Sequence, residues 1–261
     1  MFALSRQFVG TSLATLLCVI GVTSLQYPRM NKMLATKQGL SSEALERDVL
    51  AEKARLNLLE KIPSFGYDNL LANWMYLSFL QYFGDDEVRA KTGYALSPEY
   101  FEIILKHDPR FRLAYLALST STSMYAAMPE RSVKITEQGL KKLTPWAPLD
   151  SYYVWRYKGV DELLFLGNSQ AARKSFQSAA DWASKHSDED SKLSASISQG
   201  TANFLARNPN SKRAQISAWG MVLQNQIDKE TEKRAIRAIE ALGGQVVNTP
   251  QGNQIKFPQN D

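Results

Sequence analysis

The chain has 261 residues, of which 44% are apolar and 22% charged, and its 31 Lys+Arg against 26 Asp+Glu give a formal net charge of +5. This is the balance of a folded chain, long enough for one ordinary domain or a short array of repeats. One Cys, Cys18, and two His, His107 and His186, exclude an internal disulfide framework, a Cys-based zinc site and a multi-His metal centre. No Gly-rich phosphate loop is present either.

The first element is apolar. From Phe8 to Leu25 there is no charged side chain, and Leu13, Leu16, Leu17, Val19, Ile20 and Val22 lie within the run. A bilayer core of about 30 Å needs roughly 20 helical residues, so residues 1–27 read as a membrane anchor that crosses through residues 8–25. The alternatives are a cleaved signal peptide, with Arg6 as its basic region and Val22 and Ser24 before the cut, and a buried helix of a soluble protein. A lipoprotein reading of Cys18 fails, because Leu17 stands where a small residue is needed. Arg29, Lys32 and Lys37 follow the span, and the positive-inside rule then assigns the body to the cytoplasmic side. A short tail carrying Arg6 is also compatible with export of the C-terminal part.

Residues 28–68 read as a linker with an amphipathic helix from about Ser42 to Lys61. Leu45, Val49, Leu56 and Leu59 share one side of that helix, and Glu43 and Arg47 have i,i+4 spacing. It can dock on the body, pair with a second copy or lie on the membrane.

From Asn69 to Gly243 the pattern is helical throughout, so the fold class is all-α. Leu70, Leu71, Trp74, Met75, Leu77, Phe79, Leu80, Tyr82 and Phe83 are apolar almost all round, which predicts a helix buried between neighbours and closed by Gly84. Asp85-Asp86-Glu87 then read as loop acids. Ser97-Pro98 reads as an N-cap followed by Pro at the first helical position, and Asp108-Pro109 stops that helix. A helix over Arg110–Ala126 follows, then one from Pro129 to Leu143. Asp150 is placed to cap a helix through Leu166, Gly167 to close it, and Asn168 to cap the next, through Lys185. Further helices are expected over Asp190–Arg207, Lys212–Gln226 and Lys229–Leu242. In the tail, 244–261, Val246-Val247 and Ile255-Phe257 flank a turn signal, so it forms a small hairpin or stays irregular.

Helices of this length joined by short turns invite comparison at a period near 34 residues. Trp155 and Gly159 have the spacing of a first helix, and Ala172, Phe176 and Ala179 that of a second. Phe101 and Pro109 sit eight apart, followed by Tyr115, Leu118 and Ser119 at the matching places of the next first helix. On these residues the chain resembles the tetratricopeptide-repeat family, of the membrane-anchored bacterial type. The match departs at Glu162, where an aromatic is usual, in one extra residue between the two helices, and around Arg131–Thr144. The resemblance implies an antiparallel helix-pair superhelix that binds protein partners, and it implies no chemistry. In such an array small residues let helices approach closely and aromatics fill the wedge between repeats.

No catalytic, cofactor or metal residues emerge. Asp161 and Glu162 are adjacent, so their side chains point about 100° apart and do not converge as an acid/base pair; Lys158 and Glu162 read as an ordinary i,i+4 pair. The acids at 85–87 lack calcium-loop spacing, and both His sit near helix ends, where a polar or cationic side chain suits the dipole. Tyr153, Arg156 and Tyr157 are the residues proposed to touch a partner, because Trp155 and Gly159 are expected to face the repeat core instead. Basic residues from Arg207 to Arg237 are interleaved with acids and match no nucleic-acid motif. The expectation is a non-enzymatic, single-pass scaffold without cofactors in a bacterial inner or thylakoid-type membrane, serving assembly of a membrane complex. The alternatives are a permanent structural subunit and an enzyme with its site in a helical groove.

Overall fold

The structure, a computed structural model, describes residues 6–36, 41–209, 211–224, 229–249 and 252–258. It is mostly helical, 74% of residues, with twelve α-helices and two short strands among the described residues. The chain divides into two units, residues 1–50 and 51–261.

The first unit holds α1 (Arg6–Thr36) and the beginning of α2 (Ser42–Leu59). Its apolar stretch runs over Gly10–Pro28, with a mean hydropathy of 1.3, and none of that window is buried. By length and composition it can cross a membrane. The Thr15 hydroxyl donates to the Thr11 carbonyl at 2.9 Å, a back-bond within the helix. The helix extends beyond the uncharged run, through Pro28 to Thr36. Pro28 has no N–H to offer the Ser24 carbonyl, so the helical ladder misses a bond there.

The second unit begins within α2. Leu56 is buried, Arg55 forks onto Glu52 at 2.6 and 2.8 Å, and the Tyr100 hydroxyl donates to Glu52. Lys106 Nζ reaches the Glu60 carbonyl at 2.7 Å. Residues 51–59 therefore dock on the body, as the first of the three readings of this helix has it.

Helix α3 (Asp68–Phe83) packs on α5 (Ser97–His107) through an aromatic cluster. The Phe79 ring lies 4.5 Å from Phe101 and 5.9 Å from Tyr100, centroid to centroid. Contrary to expectation, α3 is not enclosed. Ala72, Met75, Phe79 and Tyr82 are buried, but Leu70, Trp74, Leu77 and Leu80 are 66%, 48%, 60% and 46% exposed. Its apolar residues occur all round the helix, while only one side meets the α5 face. The acids after Gly84 are not in a loop either: Asp86 and Glu87 form the first turn of α4 (Asp86–Thr92), where carboxylates suit the positive end of the helix dipole. At α5 the N-cap position falls on Leu96, and Ser97 makes no capping bond; Pro98 starts the helix without one.

The expected helix over Arg110–Ala126 is two segments, α6 (Arg112–Leu118) and a π-helical stretch, Ser119–Tyr125. Helix α7 (Pro129–Leu140) closes against them. A Cβ on Gly139 would lie 2.0 Å from the Tyr115 hydroxyl, which donates to the Pro109 carbonyl at 2.7 Å. Only a glycine leaves room for that ring.

Helices α8 (Tyr152–Leu164), α9 (Ser169–Ala183) and α10 (Glu189–Arg207) pack in succession, α9 against both neighbours. Asn168 caps α9 as expected, its side chain accepting from Ala171 N at 3.0 Å. Asp150 does not cap α8; Ser151 holds the N-cap position, while Asp150 adopts φ 61° and accepts from the Tyr152 hydroxyl at 3.3 Å. Helices α11 (Lys212–Gln224) and α12 (Lys229–Ala241) finish the body, and α11 returns to α8. Ile216, Trp219, Ala235 and Ile239 form their core, joined by Val246 and Ile255 of the tail. That tail is an antiparallel hairpin, β1 (Gln245–Thr249) with β2 (Gly252–Lys256). The positions expected at the end of α11, Asn225 and Gln226, lie outside the described residues.

Candidate interaction site

Helix α8 is the centre of the polar and aromatic chemistry, and each of its sides does something different. Gly159 faces α9: a Cβ there would meet the Phe176 ring at 3.1 Å, with Ala172 and Ala179 buried on the same helix. The bulky-and-small spacing read from the sequence does place Gly159 in the helix contact. Trp155 is only half-buried and meets Trp182 edge-on at 5.8 Å.

One turn away, Asp161 is wholly buried. Ser119 and Ser132 donate to its two oxygens at 2.6 and 2.7 Å. Burial pushes its carboxyl up to about 6, and the hydroxyls of Ser119, Ser132 and Ser123 pull in the opposite direction. Glu162 turns elsewhere, to Lys158 Nζ at 2.5 Å and the Ser175 hydroxyl at 2.6 Å. The two carboxylates diverge, as helical geometry requires. The Lys158–Glu162 pair is not the ordinary surface pair the spacing suggested, because both side chains are under 10% exposed (9% and 4%), and Glu137 approaches Lys158 at 3.2 Å. Two acids and a hydroxyl around one ammonium satisfy it where water cannot. They line one end of a slot of about 670 Å³ between α7, α8 and α9.

The third side carries the residues expected to touch a partner. Tyr153 and Tyr157 stack with centroids 6.2 Å apart and planes at 24°. Arg156 lies over the Tyr153 ring at 5.4 Å, and Arg112 of α6 lies over it at 5.8 Å. All three predicted residues thus belong to one aromatic and cationic cluster. Burial raises the Tyr157 phenol, and Arg112 draws it back down. Such rings offer flat, rigid contact area, and the guanidiniums add attraction for an anion. Arg112 escaped the sequence reading because it comes from a different helix, forty-odd positions earlier.

The histidines stand apart from this cluster. His107 Nδ1 lies 2.7 Å from Asp68 Oδ1, joining the end of α5 to the start of α3, while its Nε2 is buried without a hydrogen-bond partner. That bond, with help from the Ser64 hydroxyl, holds the Asp68 carboxyl below its usual range. The hydroxyl therefore serves the carboxylate, and none sits on the far imidazole nitrogen as a nucleophile–base pair requires. His186 Nε2 bonds to the Pro145 carbonyl at 2.8 Å. Among the described residues no group of three His, Cys, Asp or Glu is placed to hold a metal ion.

The exposed row on α3 was missed by the sequence reading. Its signal was present, in Leu70, Trp74, Leu77 and Leu80 at three- and four-residue spacing, but nothing local says which side of an apolar helix stays uncovered. Compared with known protein families, with characterised proteins and with solved structures, the chain matches none.

Proposed function

We propose that the chain is a membrane-anchored helical-repeat scaffold of tetratricopeptide-like design, which binds a protein partner in assembly or maintenance of a membrane complex. The observation that carries this is the uncovered row Leu70, Trp74, Leu77 and Leu80 on α3. Phe65 and Tyr67, 81% and 68% exposed, precede it in the chain. Contiguous apolar surface of this kind on a water-facing domain marks an interaction site, and Trp and Tyr are common anchors in one.

The repeat design is supported by the close packing of Gly159 on Phe176 and by the succession α8, α9, α10. The apolar stretch Gly10–Pro28 supplies the anchor, and confinement to a membrane raises the effective concentration of a partner held there without a new contact. Arg29, Lys32 and Lys37 favour a cytoplasmic body. The cluster of Tyr153, Arg156 and Tyr157 is the second contact surface of this scaffold.

The test is affinity capture of the tagged full-length chain from solubilised native membranes, beside a Trp74→Glu/Leu77→Glu variant. Both replaced side chains are exposed, so the fold is expected to persist, checked by circular dichroism. One membrane complex should co-purify with the parent and be lost with the variant. Recovery of no complex, or undiminished recovery by the variant, overturns the reading.

A further inference from the structure

Beside the Tyr153–Arg156 cluster, α8, α9, α10 and α11 enclose a hollow of about 430 Å³, within the roughly 300–1,000 Å³ of small-molecule sites. It is built unlike the charged slot on the other side of α8. Val160, Leu163, Phe176, Ile197, Phe204 and Ala214 make its walls, and among the described residues Arg156 and Arg213 supply its only charges. Neither a carboxylate nor a side-chain amide of those residues lines it. Of its hydroxyls, Thr201 is engaged with the Ile197 carbonyl at 2.9 Å. Ser198, 1% exposed, has no hydrogen-bond partner, and an unpaired buried hydroxyl is costly.

We propose that this hollow binds a single-chain anionic amphiphile, a fatty-acid-like carboxylate with its head drawn by Arg156 and its tail along Phe176, Ile197 and Phe204. The second guanidinium, Arg213, lies over the Phe257 ring at 5.0 Å. A guanidinium on an otherwise apolar wall favours a ligand with one anionic end. A volume of this order suits a single acyl chain of medium length. A peptide strand fits worse, because its backbone amides would need partners that a wall of aliphatic and aromatic side chains does not offer. The proposal shares Arg156 with the second contact surface of the scaffold, but the capture experiment replaces only Trp74 and Leu77, so either reading can fail without the other.

Gly200 makes the test clean. It lines the hollow, and a Cβ built on it meets nothing within 4 Å. A side chain there starts in open space, and replacing glycine inside a helix favours the fold. The full-length chain in nanodiscs of zwitterionic lipid is labelled with a photoreactive twelve-carbon fatty acid, and the labelled peptides are mapped by mass spectrometry. Label is expected within residues 197–217, displaced by laurate at least tenfold more effectively than by dodecanol. Gly200→Phe should abolish it, Gly200→Ala should keep it, and Arg156→Glu should reduce it at least tenfold. Label confined to residues 10–28, equal competition by dodecanol, or label that persists in folded Gly200→Phe overturns the proposal. If Gly200→Phe does not fold, Arg156→Glu decides alone: unchanged labelling refutes the site.

Discussion

Replacing Asp161 by asparagine tests how the fold tolerates a carboxylate in its interior. The side chain is wholly buried, and its carboxyl is pushed up to about 6 from an ordinary 3.8. Below 3.8 the group is neutral in both folded and unfolded chains. As pH rises the unfolded chain ionises first, and the favourable neutral form of the folded state is lost as pH passes through about 6. At about 1.4 kcal/mol per tenfold change in proton affinity, ionised Asp161 costs the fold about 3 kcal/mol at neutral pH. The asparagine side chain stays neutral, and Ser119 and Ser132 can rotate to serve its amide as they serve the carboxyl. The variant should therefore gain on the parent by about 2 kcal/mol between pH 4 and pH 7.5, whatever constant offset the new hydrogen bonds introduce. Urea unfolding of the full-length chain, followed by tryptophan fluorescence at several pH values, measures the difference directly. A difference that does not change with pH would refute the reasoning, since it would mean that the carboxyl reaches water or a cation.

Gly139→Ala places a methyl on the Tyr115 ring, from which its Cβ would stand 2.0 Å at the hydroxyl; overpacking of this kind costs about 1–3 kcal/mol, and Tyr115→Phe should recover part of it in a double-mutant cycle of thermal midpoints. Lys158→Met strands the Glu162 carboxylate in the interior and should cost about 3–5 kcal/mol, whereas Lys158→Met/Glu162→Leu should cost clearly less; equal losses in urea titrations would show the pair to be solvated. Phe176→Ala removes the ring that Gly159 accommodates, for a loss of about 3–5 kcal/mol by the same titration.

Helix positions were legible wherever local chemistry punctuates the chain. Asn168 caps α9 as its residue type suits, and Gly84 falls at the end of α3, although at φ −83°. Gly159 and Phe176, two of the residues that carry the resemblance to tetratricopeptide repeats, do lie in contact. Side-chain capping was less legible, because Ser97 and Asp150 sit at the right places in sequence and bond elsewhere or not at all. The π-helical stretch was invisible. Seven residues, STSTSMY, read as an ordinary helix, and one of its hydroxyls, on Ser119, bonds to Asp161, some forty positions away. The predicted contact residues came together on one side of α8, but the exposed row of α3 did not follow from its pattern: a helix apolar on all sides does not disclose which side lacks a neighbour.

The three sides of α8 have a consequence for how this chain can vary. Gly159 with Phe176, Asp161 with the serines, and Tyr153 with Arg156 and Arg112 are set at fixed angles around one helix. Gaining or losing a single residue between 152 and 164 would turn everything beyond it by about 100°, breaking the alignment of these contacts with one another. The length of α8 is thus frozen, while the turns at 165–168 and 184–188 remain free to drift. Sequences descended from the same ancestor should keep this helix gapless and gather their insertions on either side of it.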